Sequence, residues 1–284
     1  HQFDDRNLHG GVTREGRIVL FFRSLDVRTG KTKARYFMVS DDNGRTWSEP
    51  QRSKAWSDPA ATGIAGVWST GGMFYDPDVA KYAMLGCRRY ITFSRDGTEW
   101  EEVRRMTDNT DFKLTEAAGA WCGNRRIIAL MRDDNRRHGH PLLQIESGDD
   151  GRTWSEPAPT NMPPDRHWGC APQLIYDANR DLLIALTSDR YSKPHERNSL
   201  YVYTARPDAV MDRPENWTLR YELPRPWALP GFDKDRPLNQ NLYGYPTIAP
   251  INENEYLVVF TERAVMHGTE QADLYYFRLI WEEE

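Results

Sequence analysis

The chain has 284 residues, of which 39% are hydrophobic and 12% aromatic, including ten Trp, and its formal net charge is -5. That length can bury a sizeable core as one domain, the acidic balance argues against a nucleic-acid partner, and no stretch approaches the ~20 apolar residues of a membrane span. Cys87, Cys122 and Cys170 are odd in number, widely spaced and without a C-x-x-C, which indicates buried free thiols and neither a disulfide framework nor a zinc site. Nothing at the N-terminus reads as a signal peptide, and His1 in place of Met suggests a processed chain or an excised domain.

In chain order, the first unit predicts strands over 8–12 and 17–22 about a turn at 13–16, then a strand over 35–39 leading into Ser40-Asp41-Asp42-Asn43-Gly44-Arg45-Thr46-Trp47. The second predicts strands over 66–75, 82–86 and 90–94 with a turn at Asp76-Pro77-Asp78, ending in Ser94-Arg95-Asp96-Gly97-Thr98-Glu99-Trp100. The third repeats the plan over 117–122, 126–131 and 142–147, ending in Ser147-Gly148-Asp149-Asp150-Gly151-Arg152-Thr153-Trp154. In the fourth, strands over 171–176, 182–187 and 199–204 are followed by 205–215 in place of that motif, before Trp217. The fifth has strands over 247–251, 256–261 and 274–281, closing at Trp281.

The recurring motif Ser-x-Asp-x-Gly-x-Thr-Trp reads as a hairpin turn. Asp, Asn and Gly bond their own backbone or tolerate positive φ, and the Thr and Trp are expected to begin the returning strand with the indole as an apolar anchor. Self-similarity at about 50 residues predicts repeated small sheets. The motif resembles the Asp-box, or bacterial neuraminidase repeat, of the sialidase superfamily. The fold expected from that resemblance is all-β, a single β-propeller of four-stranded antiparallel blades spanning 1–284. Five units are counted where the resembled family has six blades.

In that family three arginines grip a substrate carboxylate, which suits a planar guanidinium that stays charged and bonds in pairs. An Asp serves as acid/base, and a Tyr activated by a Glu replaces the usual carboxylate nucleophile. Matched in family order, the resemblance implies Arg6, Arg132 and Arg197 as the carboxylate-binding set and, as acid/base, Asp26 at the end of the second strand, where the family has its Asp in a mobile loop. Tyr245 with Glu116 is implied as the nucleophile pair, Glu262 as a brace for the first arginine, and Tyr243 as the substitute nucleophile. Pro246 follows Tyr245 where the family usually has Ser. No metal and no cofactor is implied.

The function expected is a glycoside hydrolase of sialidase type acting on an acidic glycan, secreted or particle-borne. The alternatives are a non-catalytic glycan-binding propeller, such as a phage tailspike receptor-binding domain, and a protein-interaction propeller using the same aromatics as anchors. Oligomeric state is open.

Overall fold

A computed structural model of the chain describes residues 3–29, 32–53, 71–86, 89–135, 141–164, 168–190, 199–223, 243–266 and 269–282. Among them lie five antiparallel sheets, and the fold is that of a β-propeller. The first sheet runs β1 (Phe3–Val12), β2 (Ile18–Asp26), β3 (Thr32–Ser40) and β4 (Gln51–Arg52) in order. The second is β5 (Phe74–Asp76), β6 (Lys81–Gly86), β7 (Tyr90–Ser94) and β8 (Trp100–Arg105). The third is β9 (Leu114–Trp121), β10 (Ile127–Asp133), β11 (Leu143–Ser147) and β12 (Ala158–Pro159). The fourth is β13 (Trp168–Asp177), β14 (Leu182–Arg190), β15 (Leu200–Ala205) and β16 (Thr218–Leu223), with the short helix α1 (Pro207–Val210) where the first three units carry the Ser-x-Asp motif. The fifth has the three strands the sequence offers, β17 (Tyr243–Asn252), β18 (Glu255–Met266) and β19 (Thr269–Ile280).

The contacts divide the chain into two compact units, the first made of 1–110, 114–129 and 146–156 and the second of 111–113, 130–145 and 157–284. In the first, Val19, Phe21, Phe37, Tyr82, Met84 and Trp100 form one buried cluster. A Cβ on Gly119 would stand 2.5 Å from Leu85 Cδ1. The missing side chain is therefore what lets the second sheet close on β9. In the second unit, Ile184, Leu186, Leu200, Val202, Val258 and Phe260 belong to one core cluster. Every residue of β10 and of β15 is buried, and their large aliphatic side chains, Ile127, Ile128, Leu130 and Met131 in β10 and Leu200 and Val202 in β15, each contribute ~1.5–3 kcal/mol.

The two full motifs build the same turn. Ser40 Oγ donates to Asp42 Oδ1 at 2.8 Å and accepts from Gly44 N at 2.8 Å. Asp42 in turn accepts from Thr46 N at 2.8 Å and from the Thr46 hydroxyl at 2.6 Å. Around Asp149 the same four bonds run between 2.7 and 2.9 Å. Gly44 and Gly151 hold φ of +81° and +73°, where a side chain would be strained. The Thr and Trp do not begin the returning strand as expected. Trp47 and Trp154 fold their indole N–H groups back onto the Gly44 and Gly151 carbonyls at 3.1 and 3.2 Å, which keeps them in the turn, and β4 and β12 start only at Gln51 and Ala158. In the shortened motif the expectation holds, since Trp100 opens β8 and is buried.

The first strands of three sheets begin earlier than the residue pattern predicts, because each passes through a bulge. Register slips between Arg6 and His9, between Cys170 and Gln173, and between Gly244 and Thr247. In the last two the extra residues are Ala171-Pro172 and Tyr245-Pro246. Proline lacks the N–H a ladder needs, so the chain bulges there and resumes pairing. Ala171 and Tyr245 take up the change at φ +47° and +46°.

Candidate active site

The residues matched to catalytic roles lie at strand ends remote from the hairpin turns of their own sheets, and they fall into two groups, one in each compact unit. In the first unit, Asp26 ends β2, as expected of the second strand of that unit. It is buried, and its Oδ1 accepts the backbone N–H groups of Arg28 at 2.9 Å and Thr29 at 3.2 Å, so it shapes the turn that follows β2. Glu116, third residue of β9, is also buried.

Arg6 pairs with Arg23 across β1 and β2, and Arg23 pairs with Arg35 across β2 and β3. Directly opposed residues of antiparallel strands share a face. Arg23 is half-buried and Arg35 is 6% exposed, so two arginines stand opposite one another on adjacent strands in a largely dry row. Like charges so placed raise the energy of the fold unless anionic groups lie among them. Sequence reasoning assigned no role to Arg23 or Arg35. A signal existed for the first: Arg17-Ile18 to Arg23 and Arg126-Ile127 to Arg132 have the same spacing around an apolar run, making Arg23 the first-sheet counterpart of Arg132.

In the second unit, Arg132 is 8% exposed near the end of β10. Its guanidinium lies 4.4 Å from the centre of the Trp168 ring, a cation–π stack worth ~1 kcal/mol or more where water is excluded. Its Nε is 2.8 Å from Asp134 Oδ1, though off hydrogen-bond alignment. Trp168 is fixed in turn by its indole N–H, which donates to the Asp133 carbonyl at 2.9 Å. Asp133, 1% exposed, accepts the backbone N–H groups of Lys113 and Asn135, both at 2.8 Å, through one oxygen. Trp168 and Asp133 were not anticipated. Their only trace in the sequence is the polar Arg132-Asp133-Asp134 run after an apolar strand and a Trp just before the next first strand.

Tyr245 sits in the β17 bulge at positive φ and is 47% exposed, whereas Tyr201 and Tyr203 of β15 are fully buried. Tyr243 pairs with Glu262 across β17 and β18. The Arg197 position lies outside the described residues. In the fourth sheet Asp189, 1% exposed at the end of β14, accepts from Ser199 N at 2.7 Å and from the Tyr201 hydroxyl at 3.3 Å. Burial, and then the Asp189 charge, push that phenol above its ordinary pKa, so Tyr201 is a proton-holding structural tyrosine. Cys122 and Cys170 are buried free thiols, as expected.

A family model described as "BNR repeat-like domain" matches residues 8–256. The chain belongs to that family, and with it to the sialidase-like β-propeller superfamily. No curated protein matches. Among solved structures, one of unknown function from Dyadobacter fermentans is 13% identical with a TM-score of 0.69, over 99% of this chain and 78% of that one. The phage phi92 endosialidase is 10% identical with a TM-score of 0.67, over 100% of this chain and 58% of that one. A Penicillium chrysogenum alpha-L-arabinanase, solved with arabinobiose, is 12% identical with a TM-score of 0.62, over 90% and 77%. The chain thus spans little more than half of the endosialidase. At such identities the likeness is one of fold.

Proposed function

We propose that the chain, as a single propeller domain, is an extracellular or particle-borne glycoside hydrolase of sialidase type acting on an acidic glycan. The observation that carries this reading is Tyr245: an exposed phenol, on strained backbone, in a strand bulge. Strain of this kind persists where the surrounding structure over-determines it and concentrates at functional sites. A tyrosine serving only the core would be buried like Tyr203. Arg132, buried and stacked on Trp168, supplies a rigid and poorly hydrated cation of the kind that binds carboxylates.

In this reading Arg6, Arg132 and Arg197 hold the substrate carboxylate. Asp26 delivers a proton to the leaving oxygen, and the Tyr245 oxygen attacks the anomeric carbon as Glu116 takes the phenol proton. An unassisted phenol, with a pKa near ~10, is almost wholly protonated at neutral pH, so the step needs that base. Water then attacks the anomeric carbon and displaces the tyrosine, Asp26 taking the water's proton as Glu116 returns its proton to the Tyr245 oxygen. Glu262 braces Arg6. The endosialidase and the arabinanase support a glycan as the partner, since both are glycan-cleaving enzymes by name and share this fold.

The test is a panel of sialoglycans and other acidic polysaccharides given to wild type and Tyr245→Phe. Turnover should fall by three orders of magnitude or more while ligand binding stays within about twofold, because the ring remains and only one oxygen is lost. Equal turnover by both would remove Tyr245 from the chemistry. A second reading, glycan binding without hydrolysis, is favoured by the exposed aromatics of the outer strands, Tyr221 of β16 and Tyr276 of β19, at 45% and 72% exposure. It predicts binding with no sugar released by either protein.

A further inference from the structure

At the opposite end of the strands in the first unit, two turns bring three carboxylates together: Asp76 and Asp78 from the β5–β6 turn, and Asp150 from the Ser147–Trp154 motif. One oxygen of each lies within 4.8 Å of the others. Asp76 is completely buried and Asp150 is 3% exposed. Asp76 Oδ1 accepts the Asp78 N–H at 3.0 Å, but its Oδ2 is buried with no hydrogen-bond donor among the described residues. Asp150 Oδ2 takes the Arg125 Nε–H at 2.7 Å, and its Oδ1 is likewise buried without a donor. Asp78, the exposed member, accepts from the Trp121 indole at 3.0 Å and from Arg125 N at 2.8 Å.

Two bare buried oxygens, on carboxylates from different segments that are grouped with a third, form an arrangement a folded protein does not leave uncompensated. Three carboxylates against one guanidinium, that of Arg125, which bonds Asp150 alone, leave an excess of two negative charges. Of the other cations, Lys81 and Arg104 lie 5.9 and 4.8 Å from the centre of the Phe93 ring, and Arg104 also reaches the Asp150 carbonyl. The fourth sheet shows how such a corner is otherwise satisfied. Asp177 stands at the end of β13 as Asp76 does at the end of β5, and its Oδ1 accepts the N–H two residues on in the same way, at 3.0 Å. Three residues past Asp177 comes Arg180, which closes on it at 2.8 Å. Three residues past Asp76 comes Val79.

We propose that Asp76, Asp78 and Asp150 bind a divalent cation, Ca²⁺ by the chemistry of the donors, which locks the β5–β6 turn to the Ser147–Trp154 turn. All three donors are hard carboxylate oxygens on turns, with no imidazole or thiolate, and an all-oxygen set carried by adaptable segments is what Ca²⁺ takes. Burial, and then the Asp150 charge, raise the Asp76 carboxyl to about 6, which agrees with a site short of positive charge.

The experiment uses the full chain, stripped with a chelator and titrated with Ca²⁺ while its thermal midpoint is followed. Saturating Ca²⁺ should raise the midpoint by on the order of 5 °C. Terbium added in its place should luminesce through Trp121, whose indole touches a ligand. Asp150→Asn should abolish both responses and still fold, because Asn43 occupies the same place in the first motif at the same φ of +60°. Asp76→Asn should do likewise. Trp121→Phe should dim the terbium signal and keep the Ca²⁺ shift. A wild type that gains no stability from Ca²⁺, or a gain unchanged in Asp150→Asn and Asp76→Asn, overturns the proposal. A stripped Asp76→Asn protein that gains stability with no Ca²⁺ effect in wild type would show instead two carboxyls sharing a proton. None of these readouts depends on glycan turnover.

Discussion

Two turn corners, one in each compact unit, start from the same local device and end in opposite electrostatic states. At Asp177 the carboxylate meets the Arg180 guanidinium at 2.8 Å, and Arg180 also reaches the Glu253 carbonyl at 2.6 Å and the Asn254 side chain. Burial opposes ionisation of Asp177, but Arg180 and the Tyr256 hydroxyl outweigh it and hold the carboxyl below its usual range. At Asp76 there is no arginine in the turn, the next carboxylate is Asp150, and the carboxyl is pushed up to about 6, by burial first and the like charge second. The lesson is that an Asp in a tight turn says little about its own charge state. What decides it is the residue three places on and what a distant segment presents.

The largest effect expected from breaking this contrast is in the second unit. Arg180→Met should leave the buried Asp177 carboxylate uncompensated and cost about 2–3 kcal/mol, somewhat under the figure for a fully buried pair because Arg180 is 26% exposed. Denaturant unfolding at neutral pH measures it. A loss under about 0.5 kcal/mol would mean Arg180 is only a surface partner.

Moving the arginine into the first unit is the complementary change. Val79→Arg should stabilise the chelator-treated protein by about 0.5–1 kcal/mol, a partly exposed ion pair, and cut the Ca²⁺-induced rise in midpoint by at least half. Thermal melts with and without Ca²⁺ give both numbers, and an undiminished Ca²⁺ response would show that the new cation does not reach the cluster.

The smallest effect belongs to the motif aspartates, whose partners are all local. The Thr46 hydroxyl and N–H, then Ser40, hold Asp42 at about 2. Burial opposes ionisation of Asp149, yet the Thr153 N–H and hydroxyl bring it to about 2 as well. Both folded values lie below the ~3.9 of a free Asp. Their contribution is therefore fully present above about pH 4 and lost as pH falls through about 2. Thr46→Val and Thr153→Val should each raise the carboxyl pKa of the facing Asp toward the free value, as followed by NMR, and flatten the acid limb of the stability curve slightly. An unchanged Asp149 titration in Thr153→Val would assign the shift to the backbone N–H groups and the Ser147 hydroxyl.

Much of the architecture was legible because it rests on short-range rules. The turns at 40–47 and 147–154 close through bonds between residues at most four apart, so the letters Ser, Asp, Gly and Thr suffice to specify them. Strand order followed from alternation and turns. The bulges escaped notice because they depend on register across a sheet, although Ala171-Pro172 and Tyr245-Pro246 mark two of them.

The site was legible only in part. The spacing of Arg126 and Arg132 and the position of Tyr245 before Pro246 are in the sequence. That Arg132 stacks on Trp168, 36 residues on, and that Arg23 and Arg35 stand abreast are consequences of pairing and packing. The same holds most strongly at the Asp76 corner. The sequence by itself determined two ordinary turns, Asp76-Pro77-Asp78 and Asp149-Asp150-Gly151, each satisfied by its own backbone. Only the tertiary structure set their carboxylates within 4.8 Å of one another. A hydrogen bond within four residues needs only local dihedrals, whereas contact between segments some 70 residues apart needs the sheets between them to be built and packed first.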